Sequence, residues 1–155
     1  MAIVRLDKIT GNHLSNGRHA TVDMLNGFFV QLGALVAGEK DLYNITAPTA
    51  VTNEVVLHAS PEVMYDPRLG ALEDFFVEAG EECRLYHLTV GDVITLSADL
   101  LDGTITVGTV VSPQVADMNL VAPAVAGSRL TLQVIQATQL GFNRVPAFAL
   151  RVLTA

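Results

Sequence analysis

The sequence predicts a mainly β protein. The expected form is a small antiparallel β-sandwich or partly closed barrel, with one short amphipathic helix at about 67–79 and an extended N-terminal arm. Three observations lead there. Short runs rich in Val, Ile, Leu and Thr recur with turn residues between them, and β-branched side chains pack well on a pleated surface. Two runs alternate cleanly: Leu130, Leu132 and Val134 against Thr131 and Gln133, then Phe148, Leu150 and Val152. That period of two marks half-buried antiparallel strands. A single segment shows helical spacing instead.

Taken in order, residues 1–26 read as the arm and 27–155 as one β-rich domain. After Ile9 the chain runs Thr-Gly-Asn-His-Leu-Ser-Asn-Gly-Arg-His. Asn, Gly and Ser at this density favour turns and irregular backbone. The arm is either a frayed terminus or a segment that orders on a partner, and its removal is expected to leave the domain folded. Strands are expected at 28–35, 41–47, 54–59, 84–88, 92–98, 104–111, 130–138 and 147–153. Turns fall at 38–41, Val90-Gly91 and Asp102-Gly103, the last a hairpin signal because Gly accepts positive φ. The helix has Asp66 as N-cap, Pro67 in its first turn, an apolar stripe of Leu69, Leu72 and Phe76, a solvated face of Glu73, Asp74 and Glu78, and Gly80 beyond its end. Residues 112–127 read as a long loop with a short strand near 119–121.

Composition narrows the function classes. The chain has 155 residues, enough for one domain, and half are hydrophobic, so a sizeable core needs no staples. Cys83 is the sole cysteine; it can form no intrachain disulfide and no Cys-based zinc site, and reads as a small buried hydrophobe. The net charge is −7, and the segment from Pro61 to Glu82 holds seven acids against Arg68 alone. An acidic chain with so few bases argues against a nucleic-acid partner. The near-neutral remainder suggests a surface covered by a protein partner. No secretion signal and no membrane-length apolar run is visible.

No motif for chemistry emerges. His13, His19, His58 and His87 have no metal-ligand spacing between them, and His58 and His87 fall in strands as structural histidines. The carboxylates between Glu62 and Glu82 read as a solvated face rather than an acid–base pair. There is no nucleophile elbow, no phosphate-binding glycine loop and no calcium loop; Asp99 and Asp102 have the wrong spacing. The expectation is therefore no catalytic, metal or cofactor residue, and no enzyme.

One resemblance sharpens this. The run Asn26-Gly-Phe-Phe-Val-Gln-Leu-Gly33 continues to Gly38-Glu39. Then come Ala59-Ser-Pro-Glu-Val-Met-Tyr-Asp66, Phe75 to Gly80, Arg84-Leu-Tyr-His-Leu88 and Gly91-Asp-Val-Ile-Thr-Leu96. In that order these pieces resemble the head decoration, or cement, proteins of tailed bacteriophages, over about residues 26–97. The resemblance implies a non-enzymatic protein at the virion's capsid surface, made in the host cytoplasm, with the major capsid protein as partner. It also implies self-association, a trimer being favoured over a dimer. The alternatives are another virion part, such as a head-fibre base or a tail-associated β domain, or a small-molecule-binding or hydrolytic β barrel.

Overall fold

The computed structural model describes residues 2–10, 14–62 and 75–155. In chain order its strands are β1 Val4–Lys8, β2 Leu14–Arg18, β3 Met24–Leu25, β4 Phe29–Leu35, β5 Leu42–Thr46, β6 Val55–His58, β7 Phe76–Val77, β8 Cys83–Tyr86, β9 Val93–Ser97, β10 Leu101–Asp102, β11 Val110–Pro113, β12 Leu120–Val121, β13 Thr131–Leu140 and β14 Val145–Thr154. Five close into a barrel in the order β2-β5-β4-β6-β8. Seven form an open sheet in the order β1-β9-β14-β13-β11-β12-β10, and β3 pairs β7. The mainly β architecture agrees with the sequence reading, and the barrel is closed.

Alternation explains how barrel and sheet share one interior. On β6, Val55 and Leu57 join a core made with Ile94, Leu96, Leu132, Leu150 and Val152 of the sheet. Val56, between them, points the other way, into a barrel core with Val30, Ile45, Cys83 and Leu85. Both faces of β6 are covered, so all four of its residues are buried and it reads as a continuous apolar run. Phe29 and Val30 divide in the same manner on β4. The barrel closes tightly at Gly17 on β2. A Cβ there would lie 2.5 Å from Leu85 Cδ1 and 2.7 Å from Ile45 Cγ2, so a residue without a side chain lets the strands meet.

The N-terminal stretch is extended, as expected, but it is built into both sheets rather than standing off as an arm. β1 pairs antiparallel with β9. β2 pairs with β8 and β5 and so completes the barrel. Side chains add to this. The main chain of Ile3 bonds to the Ser97 hydroxyl (3.0 Å) and to its N–H (2.9 Å). Thr95 donates its hydroxyl to Asp7. Asp92, fully buried, accepts from the Thr10 N–H (2.9 Å) and hydroxyl and from the Thr89 N–H (2.8 Å). Composition missed this because the partners are far away in sequence: Gly and Asn weaken local propensity, but a ladder on each side satisfies the backbone regardless.

The helix expected at 67–79 needs correction where it is described. Residues 67–74, including Leu69, Leu72, Glu73 and Asp74, lie outside the described residues. Phe76 and Val77 form β7, paired with Leu25 and Met24. Phe76 is 44% exposed, so it is no part of a buried stripe. Gly80 has φ +90 and follows a strand, not a helix. The one helical turn described is a 3₁₀ turn at Ala98–Leu100.

Six expected strands match β4, β5, β6, β8, β9 and the β13–β14 pair's first member, and 147–153 lies within β14. The run at 104–111 does not form a strand over most of its length; the strand begins at Val110. Asp102-Gly103 is no hairpin either. β10 pairs in parallel with β12, and a Cβ on Gly103 (φ +95) would lie 2.3 Å from the Ala122 carbonyl oxygen. The glycine serves a close backbone approach as well as its turn conformation.

Candidate functional site

Two histidines that sequence reading treated as structural organise polar clusters. His58, at the end of β6, is fully buried. Its Nδ1 lies 2.8 Å from the Leu25 carbonyl and its Nε2 3.0 Å from the Ser60 hydroxyl, which also accepts the Arg84 N–H at 3.0 Å. A carbonyl only accepts, so Nδ1–H donates to Leu25; burial favours the neutral ring, whose Nε2 then accepts from the Ser60 hydroxyl. Asn26 completes the cluster, accepting from the Ser60 N–H (2.8 Å) and donating to its carbonyl (3.0 Å). Burial pushes the His58 pKa below its ordinary 6.5, against the Leu25 bond, which favours the charged form. Every polar group here has a protein partner, so the cluster knits β3, β6 and β8 together.

The second cluster lies at one end of the barrel and is partly buried. His87, just past β8, has Nε2 2.9 Å from the Ser15 hydroxyl on β2 and Nδ1 2.9 Å from a Glu54 carboxylate oxygen. Glu54 and His87 border a shallow cavity of about 390 Å³ together with Thr89, Arg129, Val55 and Leu88. Serine, histidine and carboxylate in one chain is an arrangement that motif spacing could not reveal. Ser15 lies on β2, Glu54 just before β6 and His87 just after β8, and the three meet only when the barrel closes.

The third feature is the β13–β14 hairpin. Its strands are ten residues each. Neighbouring strands support only part of it: β9 accompanies β14 from Ala147 to Arg151, and β11 accompanies β13 at Leu132 and Gln133. Residues 135–139 are exposed, and at the tip Phe142 is 100% exposed. Covering such a ring would remove its full apolar surface from water, so it offers a ready anchor to anything that binds there. Charge is also distributed unevenly. All sixteen acids lie at or before Asp117, and the remaining chain carries only Arg129, Arg144 and Arg151. The hairpin is thus cationic on a strongly acidic body.

Cys83 sits in the barrel core at 3% exposure, as expected of a small buried hydrophobe, and burial pushes its thiol up to about 11. Among the described residues no group of three or more His, Cys, Asp or Glu side chains could hold a metal ion, and no helix is long and apolar enough to cross a membrane. No family model, curated protein or solved structure matches the chain.

Proposed function

We propose that this chain is a structural virion protein that binds the outer surface of a tailed-phage capsid and stabilises it, acting by stoichiometric attachment and not by catalysis. The single observation that carries the reading is the cationic hairpin ending in the fully exposed Phe142. An aromatic side chain on a projecting hairpin is an anchor of the kind that dominates protein interfaces when it enters a pocket. The resemblance over residues 26–97 supplies the partner, the major capsid protein. The interlocked barrel and sheet support the role in a second way, since a clamp on a shell must hold its shape under load.

Binding that favours the assembled shell raises its resistance by mass action. Particles lacking the protein, mixed with the purified chain, should take it up to a fixed stoichiometry and gain resistance to heat or chelator that saturates with occupancy. Particles that take up no protein, or gain resistance without saturation, would overturn the reading.

One observation favours a hydrolytic barrel instead: the Ser15–His87–Glu54 chain. Two features weigh against it. The Glu54 side chain is 52% exposed, so its charge is screened by water, and Ser15 is not part of the cavity wall. A fluorophosphonate probe separates the two readings. Labelling at Ser15, abolished in Ser15→Ala and His87→Ala, would establish a nucleophile; an unlabelled protein leaves the cluster as a tie between β2, β6 and β8.

A further inference from the structure

We infer that the open edge of β13, residues 135–140, is where two copies of this chain pair, antiparallel and with Thr138 on the two-fold axis. The inference goes beyond capsid binding and stands without it.

β13 is bonded along its length to β14. On its other side the last main-chain bonds join Val134 to Gly108 (2.8 Å) and Thr109 (2.9 Å). From Ile135 to Leu140 that side has no strand neighbour among the described residues. The direction of the free groups can be read from both ends. At the hairpin turn, Leu140 lies opposite Val145 and Gln139 opposite Pro146. Pro146 has no N–H, so the pairs that exchange both bonds are Leu140–Val145 and Thr138–Ala147, while Ala137 and Gln139 aim their N–H and C=O outward. At the other end, Val134 aims outward at β11. The register shift between Val134 and Gln136 inserts one residue and moves the alternation by one, which again gives Ala137 and Gln139.

Symmetry then selects the register. Antiparallel copies related by a two-fold axis place one residue opposite itself. With Thr138 there, Ala137 faces Gln139 of the second copy, and the reverse, so the outward groups of both residues meet partners. Gln136 faces Leu140, and Ile135 faces Gly141, where the turn of the second copy begins. The incoming strand therefore ends where β11 begins, and the free edge is as long as the strand that fills it. Facing Thr residues are a favourable cross-strand pair. The segment between Arg129 and Arg144 holds no charge, so two chains of net charge −7 meet at a neutral edge.

The opposite edge of the same sheet is guarded. β1 carries Arg5, Asp7 and Lys8 and a register shift between Leu6 and Lys8, which are common devices against edge pairing. The β13 edge has no charge and no proline. An isologous edge closes at two copies, in contrast to the trimer expected from the sequence. Its area is small, so the dimer depends on concentration.

The test uses the purified full chain. Sedimentation velocity from micromolar to millimolar concentration should show a shift from 16.5 kDa to twice that mass. Thr138→Cys should form a disulfide-linked dimer under mild oxidation, because facing residues at such a non-bonded position lie about 4.5 Å apart at Cα. Cys83 is buried and should stay silent. Ala137→Pro, which removes an outward N–H, and Thr138→Lys, which sets like charges on the axis, should both remain monomeric with unchanged melting temperature. If the proline variant misfolds, the lysine variant decides. A wild-type chain that is monomeric throughout, or association that survives Thr138→Lys, overturns the inference. So does a monomeric chain whose capsid attachment is lost in Thr138→Lys, which would assign the edge to a strand of the capsid protein.

Discussion

The barrel and the sheet use the same apolar vocabulary and solve the edge problem differently. The barrel closes on itself, so β2, β4, β5, β6 and β8 all have neighbours on both sides. Each of these strands is bonded on both sides over part of its length, and the interior holds Val30, Ile45, Val56, Cys83 and Leu85. The sheet stays open and extends a hairpin past its neighbouring strands. On the proposed function the two units divide the work: the closed unit holds shape, and the open unit offers backbone and an aromatic tip for attachment.

The largest expected effect tests whether the barrel needs the N-terminus. Removing residues 1–18 deletes β2, which closes the barrel, and β1, which caps one edge of the sheet. The truncated chain should lose its β-type circular dichroism or precipitate. A soluble, cooperatively melting truncation would show that the closure is dispensable and would return these residues to the status of an arm.

Next in size is the seam between the two units. Phe29 lies on a barrel strand but packs with the sheet core, fully buried. Phe29→Ala should destabilise by about 3–5 kcal/mol, the usual range for deleting a buried aromatic ring. Chemical denaturation followed by intrinsic fluorescence and circular dichroism should keep a single transition. Two separated transitions would mean that barrel and sheet fold independently.

Acid should weaken the two units in different pH windows. The His58 pKa is lowered on folding, so the unfolded chain binds the proton more tightly. The stability linked to His58 is fully present above about 6.5 and falls as the pH drops below that value. Asp92, at the sheet's end, differs. Burial alone would raise its pKa, but the bonds from Thr10 and Thr89 together outweigh it and leave the carboxyl below 3.8. Its contribution is present above 3.8 and disappears as the pH falls through the folded value. Melting temperature against pH should therefore decline in two stages. His58→Gln should flatten the upper stage and leave the lower one; an unchanged upper slope would exclude His58 as its source.

Sequence reading succeeded where burial on one face imposes a short-range pattern. Leu130, Leu132 and Val134 are all buried in the sheet core, as their spacing requires. It failed where the cause is long-range. Ser15 is polar and sits beside glycine and asparagine, yet it lies in a barrel strand because Leu85 is across from it. Ser15, Glu54 and His87 are far apart in sequence and become one cluster only through closure of that barrel. Phe76 fits a helical stripe by spacing, but the structure pairs it with Leu25. Phe142 gave no signal, since a lone aromatic between Gly141 and Asn143 breaks no pattern until its exposure is known.

The smallest effect on folding should fall at that residue, where the expected effect on binding is large. Phe142 makes the tip of the hairpin and is fully exposed, so truncation opens no cavity. Phe142→Ser should change stability by no more than about 0.5 kcal/mol, as surface substitutions do. If the tip anchors the protein in a capsid pocket, the same change removes the burial of an aromatic ring and should cost roughly 2 kcal/mol or more of attachment, the scale of an interface hot spot. Co-sedimentation with capsids across a concentration series reads that loss as a shift of the midpoint, while thermal melts of the free protein should superimpose on wild type. A melt that drops with the midpoint would show that Phe142 supports the hairpin itself. A midpoint that stays in place would move the contact elsewhere, and would leave the open sheet, unlike the closed barrel, with an exposed aromatic ring that no binding partner accounts for.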